Sequence, residues 1–388
     1  MSELIYRADE LPYRTGDLAG ITGVLRHSDD DFRVEEIPAY EPADEGDHVF
    51  AVIEKRGLTT AMAATRMAEA LGIRDRDVGW AGMKDRHAIT RQTLSFPPPC
   101  TPEAITALEL PDITILEARR HRHKLRTGHL RGNRFVLVVR EVGLAGEADR
   151  AGDNAGAGRV NAAVERVEAI LARLRQPPGL PNYFGEQRFG RDGDNAEIGR
   201  ALVTSSPMPG GIRRPRGRKL RLFISALQSQ LFNRYVHQRL DDGLFDRVID
   251  GDLLQKTTTG GSFASSEPEV DQARLEAGEV VPTGPMVGHK IKMPPAGSAA
   301  FERESALLAG AGLSLDDFAR VGKLGVGARR PIAVSLLNAA VRAIGEDAIE
   351  LSFELPAGSY ATTLMREIVE SPRPVRSHPS DHHPLADS

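Results

Sequence analysis

The chain has 388 residues, a formal net charge of −4 and only 5% aromatic residues. This length allows a large hydrophobic core and predicts about two domains. The single cysteine, Cys100, excludes an intramolecular disulfide and any metal site built from several cysteines. No apolar run approaches the ~20 residues that span a bilayer. The first residues contain no apolar signal region, so we expect a cytoplasmic protein that is not bound to a membrane.

The first part of the chain is predicted to be rich in strands. Patterns of alternating or continuous apolar residues predict strands at residues 20–25, 32–37, 47–55, 78–83 and 135–141. Thr59 offers an N-cap for a helix that Gly72 ends. The result is a strand–helix–strand unit with Asp85 just past the second strand, where α/β sheets commonly bind ligands.

The second part of the chain is predicted to be more helical. Helical spacing of apolar residues is clearest at residues 161–176 and 221–239, and residues 348–355 alternate as a strand. The Gly- and Ala-rich stretch 145–160 indicates a flexible connection, and Pro177-Pro178-Gly179 indicates a domain boundary. From about residue 371 the sequence is rich in Pro, Ser and His, and we expect it to be disordered.

Two basic clusters stand out against the acidic net charge. The first has eight Lys or Arg residues between positions 119 and 140, and the second occupies residues 213–221. Charge runs are usually solvated surfaces, but two runs on a net-acidic chain favour a surface that binds a polyanion. The candidates for contact with a nucleic-acid backbone are Arg213, Arg214, Arg216, Arg218 and Lys219.

Residues 78–92, with the sequence VGWAGMKDRHAITRQ, are the most informative stretch. Asp85 lies between Lys84 and Arg86, and neighbouring cations favour the ionised form of a carboxyl group. An ionised carboxylate suits a nucleophile or base and poorly suits a general acid. A plain surface turn is the alternative for so short a motif.

Nucleotide and metal cofactors are not predicted. The chain has no Gly-x4-Gly-Lys-Ser/Thr loop, and the glycines at residues 322–327 lack the order of a dinucleotide-binding loop. The pair His121 and His123 lies among cations that would repel a metal ion.

Six segments together resemble the TruD family of pseudouridine synthases. They lie between about residues 24 and 367, in the family's order: residues 31–36 (DFRVEE), 78–92, 123–135 (HKLRTGHLRGNRF), 181–190 (PNYFGEQRFG), 225–233 (SALQSQLFN) and 355–367 (LPAGSYATTLMRE). One such block would be weak, but six in order are specific.

The resemblance implies a set of site residues. These are the nucleophile Asp85, its candidate ion-pair partner Arg26, and the substrate-binding residues Phe32, Asn133, Phe135 and Tyr360. Tyr360 stands where the family commonly has Phe and keeps an aromatic face. From the residues alone, Phe32 could equally be a core aromatic, and Gly132-Asn133 could be a hairpin turn. Arg26, Lys84 and Arg86 are all candidates to pair with Asp85.

The resemblance also implies an α+β fold. A pseudouridine synthase-type catalytic domain, with a mixed sheet and flanking helices, would comprise residues 1–178 and 335–388. An inserted α/β TRUD domain, residues 180–334, would carry the second basic cluster and form an RNA-binding wall. The implied substrate is tRNA, the implied target is uridine at position thirteen, and the protein is expected to act as a monomer without cofactors.

Two other classes of function stay open at this point. A non-catalytic RNA-binding protein or tRNA-folding chaperone would not need Asp85. A hydrolytic nucleosidase or nuclease would use Asp85 as a base but would want a second acid or a metal. Within the synthase reading, the sequence does not decide whether Asp85 attacks C1′, giving an acylal, or removes a sugar proton, giving a glycal.

Overall fold

A computed structural model of the chain describes residues 4–146 and 157–370. The predicted disordered tail from residue 371, and most of the predicted flexible connection at 145–160, lie outside the described residues. The strands are β1 (Ile21–Leu25), β2 (Phe32–Pro38), β3 (His48–Arg56), β4 (Gly79–Trp80), β5 (Ile89–Phe96), β6 (Ile113–His121), β7 (Leu130–Leu144), β8 (Leu180–Pro181), β9 (Leu253–Lys256), β10 (Ser262–Ala264), β11 (Val280–Met286), β12 (Ala328–Pro331), β13 (Ala333–Val334), β14 (Leu337–Ile344) and β15 (Ala348–Pro356). The helices are α1 (Thr60–Ala70), α2 (Pro102–Thr106), α3 (Ala157–Arg175), α4 (Asn195–Thr204), α5 (Gly217–Asp241), α6 (Pro268–Glu276), α7 (Ala299–Gly310), α8 (Leu315–Ala319) and α9 (Ala361–Ile368).

The chain divides into two compact units. We call them the sheet unit, with Leu18–Leu171, Leu337–Gly358 and Ile368–Ser388, and the helical unit, with Met1–Asp17, Ala172–Leu336 and Ser359–Glu367. The domain limits derived from the sequence, 1–178, 180–334 and 335–388, stay a prediction. No helix within the described part of the chain is long and apolar enough to cross a membrane.

The sheet unit is built on a nine-stranded mixed sheet. The strand order is β14-β15-β7-β2-β5-β3-β6, with β1 added to β7 and β4 added to β5. The β2–β5 pair is parallel, whereas β3, β6, β7, β14 and β15 pair antiparallel with their neighbours. The predicted α+β class with a mixed sheet is therefore confirmed.

Helix α1 covers one face of this sheet, as its apolar spacing predicts. Ala63, Ala64 and Met67 are buried against residues of β3. The Thr59 hydroxyl accepts a 3.1 Å hydrogen bond from Met62 N, which caps the helix. Gly72 has φ of +66° and ends it.

Two strands differ from their predicted lengths. The predicted strand 78–83 is only Gly79–Trp80, after which the chain leaves the sheet in a turn. Strand β7 begins at Leu130, so the hairpin-turn interpretation of Gly132-Asn133 is wrong. A Cβ at Gly132 would lie 2.3 Å from Leu355 O, and glycine therefore permits β15 to approach β7.

The helical unit has α4 and α5 at the centre of its core. Helix α5 is longer than the predicted segment 221–239, and it buries Leu227, Leu231 and Tyr235. The unit also contains a four-stranded sheet in the order β10-β9-β11-β12 and the β8–β13 pair. The sequence patterns predicted mainly helices here and did not predict these short strands, three of which contain proline, a poor strand former.

Candidate active site

The Asp85 carboxylate lies in the turn between β4 and β5, which we call the Asp85 turn, residues 81–86. Arg26 Nη2 lies 3.2 Å from Asp85 Oδ2, and the two side chains are 33% and 39% exposed. The guanidinium of Arg26 also lies over the Phe32 ring, 4.1 Å from its centroid. Within the sheet unit, Arg26 thus contacts both the accessible carboxylate of Asp85 and the aromatic ring of Phe32.

Arg26 adopts an unusual backbone conformation at this position. It directly follows β1 and has φ of 55°, in the left-handed region that is costly for residues other than glycine. Such strain is concentrated at functional sites, where the surrounding structure holds it in place. The conformation ends the strand and accompanies the contact of its side chain with Asp85.

The other two candidate cations point away from the Asp85 carboxylate. Lys84 Nζ donates a 2.6 Å hydrogen bond to Glu36 Oε2, and Arg86 Nε donates to Gly57 O at 3.3 Å. Of the three cations considered from the sequence, Arg26 is the one that contacts the carboxylate.

The Lys84–Glu36 ion pair fixes the Asp85 turn to strand β2. Its side chains are only 4% and 2% exposed. The backbone of Lys84 is held as well, because its N–H donates to the Thr60 hydroxyl at 2.8 Å, and that hydroxyl donates to Gln92 Oε1 at 2.8 Å. The turn is therefore positioned by buried polar contacts to α1, β2 and β5.

Replacing Lys84 with methionine is expected to destabilise the protein by about 3–5 kcal/mol, because it leaves the Glu36 carboxylate buried without its partner. Urea unfolding followed by circular dichroism measures the change. Arg91→Met provides a matched control, since the Arg91–Glu54 pair on the same sheet is exposed and is expected to contribute less than about 1 kcal/mol. Equal losses in the two variants would contradict this account of the turn.

Lys55 is a second buried cation behind the Asp85 turn. Its ammonium donates to Leu58 O and, at 2.9 Å, to Asp85 O. Burial lowers the pKa of Lys55 to about 8, and the Asp85 carboxylate partly offsets this effect. The sequence analysis missed this residue. The signal that could have found it is its position on the buried face of β3, in alternation with Ala51 and Ile53.

The aromatic candidates of the sheet unit lie together but are buried. The ring centroids of Phe32 and Phe135 are 6.4 Å apart, and Phe135 stacks on Phe353 at 5.2 Å. Both candidates are almost fully buried, as core aromatics would be. Asn133 precedes Phe135 by two residues on β7, and its buried Oδ1 atom accepts no hydrogen bond from the described residues. An unsatisfied buried acceptor of this kind is costly unless a ligand supplies the donor.

Tyr360 belongs to the helical unit. Its ring lies 6.1 Å from that of Phe184, and its hydroxyl accepts a hydrogen bond from Arg188 at 3.4 Å. Arg330, which the sequence analysis did not single out, lies over the Phe184 ring at 4.1 Å. Burial lowers the pKa of Arg330 to about 10. A substrate-binding role for Tyr360 stays a prediction.

Half of the first basic cluster is neutralised by ion pairs within the described part of the chain. Its ion pairs are Arg119–Asp44, Arg122–Glu45, Arg134–Glu354 and Arg140–Asp31. Three exposed members, Arg120, Arg126 and Arg131, form no ion pair with any carboxylate in the described part of the chain, and neither does the half-buried Lys124. Arg120 and Lys124 donate instead to the carbonyls of Gly46 and Arg76. Much of the charge that the sequence shows here is therefore unavailable to a ligand.

The second basic cluster has the opposite character. Its exposed cations are Arg213, Arg214, Arg216, Arg218, Lys219 and Arg221. Within residues 4–146 and 157–370, none of them has a carboxylate at ion-pair distance. They flank the first residue of α5, Gly217, where the helix dipole is positive and cations are unfavourable. This concentration of positive charge is unfavourable in the protein alone and would be stabilised by a bound anionic ligand.

The comparisons with known proteins agree with this geometry. The family model for tRNA pseudouridine synthase D (TruD) matches residues 10–208 and 212–368. A tRNA pseudouridine synthase D of Anaeromyxobacter dehalogenans is 44% identical over 362 residues, which are 93% of this chain and 97% of the relative. One from Thermus thermophilus is 38% identical over 95% of this chain and 94% of its own length.

The fold is also similar to a solved structure. The crystal structure of a Methanosarcina mazei protein described as a tRNA pseudouridine synthase D superposes with a TM-score of 0.73 at 22% identity, covering 93% of this chain and 96% of that one. At this identity the likeness shows the fold alone. The fold is of the pseudouridine synthase type, and the Asp85 carboxylate lies at the centre of the candidate site. The family match is more specific: this chain belongs to the tRNA pseudouridine synthase D family.

Proposed function

We propose that this protein isomerises uridine to pseudouridine in tRNA, at position thirteen, with Asp85 as the nucleophile. Membership of the family supports the reaction and the kind of RNA. The observation that carries the assignment of Asp85 is its accessible carboxylate, paired at 3.2 Å with Arg26 in a firmly held turn. The position within the tRNA rests on the resemblance of the sequence motifs.

The reaction rearranges atoms without oxidation or reduction. The N1–C1′ bond breaks, the uracil turns, a C5–C1′ bond forms, and the proton released at C5 is balanced by one gained at N1. Asp85 either attacks C1′ or removes a sugar proton. In both routes Arg26 holds the carboxylate in place through a charge-assisted hydrogen bond until the substrate arrives.

The detached base needs a surface to hold it and a polar group to orient it. Phe32 and Phe135 supply adjacent rings, and the unpartnered Oδ1 of Asn133 supplies an acceptor for a uracil N–H group. Because both rings are buried here, base binding requires Arg26 or neighbouring side chains to move away from Phe32. Extracting the base from folded RNA costs a few kcal/mol, which stacking and phosphate contacts offset.

Pseudouridine mapping tests the proposal. Unmodified tRNA transcripts are incubated with the purified protein in the presence of EDTA and without nucleotide, and we expect pseudouridine at position thirteen only. A transcript with cytidine at that position is the control. Tight binding without product from any tRNA would overturn the proposal and favour a non-catalytic RNA-binding protein or tRNA-folding chaperone.

The same assay, combined with sedimentation of the protein, tests whether a monomer is active and whether the reaction proceeds without an added cofactor.

A further inference from the structure

A ladder of four rings runs from the core of the sheet unit to its surface. Phe50 and His121 stack with centroids 4.2 Å apart, and His121 stacks on Tyr40 at 5.3 Å with 18° between the ring planes. The Tyr40 hydroxyl and His129 Nδ1 share a 2.7 Å hydrogen bond. Phe50 and His121 are buried, whereas Tyr40 is 39% exposed. The ladder therefore ends in an accessible tyrosine ring that is held from two sides.

The inner rings of the ladder carry no charge. Ala43 N donates to His121 Nδ1 at 3.2 Å, so this nitrogen is unprotonated. Burial, helped by His123 and Arg122, lowers the pKa of His121, and burial raises the pKa of Tyr40. A neutral ring stack suits a planar, uncharged ligand group such as a nucleobase.

Two cations lie beside the exposed end of the ladder. Arg131 Nε donates to Pro38 O at 3.1 Å, two residues from Tyr40 along the chain. Arg126 opens the tight turn whose other end is His129, through a 3.1 Å hydrogen bond from His129 N. Both belong to the four members of the first basic cluster that form no ion pair among the described residues. Aromatic faces next to guanidinium groups that have no carboxylate partner are features that bind single-stranded nucleic acid.

The ladder and the Asp85 turn are held by the same buried residues. Gly128 N donates to Ala81 O at 2.8 Å, and Ala81 begins the Asp85 turn. Phe50, Ala81 and Leu125 form one buried cluster, with Leu130 packed against it. Since Ala81 precedes Asp85 by four residues, their Cα atoms are at most ~14 Å apart. The exposed end of the ladder is therefore linked to the Asp85 turn through the adjacent residues Gly128 and His129.

We propose that Tyr40, flanked by Arg126 and Arg131, is a second nucleotide subsite, which stacks one unpaired base of the substrate RNA near the target uridine and binds its phosphate. The inference rests on the proposed function, since RNA is the ligand. The subsite offers a ring face and no base-specific donors, so it accepts any of the four bases.

The test compares Tyr40→Leu with Tyr40→Phe, using binding of unmodified tRNA transcript and single-turnover pseudouridine formation. Tyr40→Leu is expected to weaken binding about ten- to hundredfold with little change in the rate at saturating RNA, whereas Tyr40→Phe keeps the stacking face and stays within about threefold. Tyr13→Leu is the matched control, because Tyr13 is a similarly exposed tyrosine (42%) whose ring faces Arg366. Unchanged binding by Tyr40→Leu would overturn the subsite.

Abasic RNA then separates stacking from a structural role. Single abasic substitutions are placed at each nucleotide near the target, and binding is measured with wild type and Tyr40→Leu. At one position the two changes should be strongly non-additive, because the ring and the base lose the same contact. Additive effects at every position would overturn the subsite even if Tyr40→Leu bound weakly. If the effects are additive but the wild-type protein forms pseudouridine, only the subsite is overturned and the proposed function stands. If the wild-type protein binds no tRNA, both proposals are overturned.

Discussion

Asp85→Asn is expected to reduce pseudouridine formation by at least about 10⁴-fold, since removing a nucleophile removes the reaction path itself. Binding of tRNA should stay within about threefold of wild type, because phosphate contacts dominate affinity for nucleic acids. The amide has the shape of the carboxylate, and its oxygen can still accept the hydrogen bond from Arg26. The bond from Lys55 goes to the main chain at this position and is retained. Single-turnover mapping and filter binding measure the two quantities.

The matched control for this variant is Asp316→Asn. Asp316 is an exposed aspartate in the first turn of α8, so the substitution changes the net charge equally without touching the sheet unit. We expect wild-type activity from the control. Retained activity in Asp85→Asn would show that another group is the nucleophile. Lost binding would indicate that Asp85 has a structural role.

Replacing Arg213, Arg214, Arg216 and Arg218 together by glutamine should weaken tRNA binding and flatten its dependence on salt. Each phosphate contact contributes about 0.7–0.9 to the slope of log affinity against log salt, so the slope should fall by up to about three units. The expected effect is large because these cations are exposed, lack carboxylate partners within the described part of the chain, and lie at the start of α5. Binding titrations at four or more salt concentrations give the slope.

A variant with the same loss of charge controls for the overall electrostatic field. Arg66, Arg74, Arg274 and Arg303 are each paired with a carboxylate, and glutamine at all four also removes four positive charges. This control should keep most of the wild-type slope. Equal slopes for the two variants would show that RNA contacts another surface. An unfolding curve is needed for the first variant, because Arg214 also donates to Leu202 O.

Local patterns predicted much of the sheet unit. The alternation in 32–37 and 47–55, and the cap and stop residues of α1, gave elements within about a residue of those observed. Asp85 was identified because its neighbours resemble a family motif. Its ion-pair partner was not decided among Arg26, Lys84 and Arg86. Lys84 and Arg86 are adjacent to Asp85 in the sequence and Arg26 is 59 residues away, and only the fold shows that Lys84 pairs with Glu36 while Arg26 contacts Asp85.

The contacts that the sequence analysis missed are long-range ones. The four ion pairs that neutralise half of the first basic cluster join residues far apart in the chain, so a run of arginines could not reveal them. Lys55 and Glu36 could have been identified from the sequence, because both are charged residues at inward-facing positions of strands with alternating patterns. Such an exception to the pattern indicates a buried polar network, although it does not identify the partners.

The polar support of the Asp85 turn sets a limit on how this protein can be made more robust. A buried ion pair is often no more stabilising than a pair of well-packed apolar side chains of similar volume. Replacing Glu36 and Lys84 by such a pair could therefore raise the melting temperature. It would also remove the ion pair that positions the turn carrying the Asp85 carboxylate. Thermal stability and the position of the Asp85 carboxylate therefore depend on the same two residues, Glu36 and Lys84. Selection for higher thermal stability at these positions is expected to lower activity.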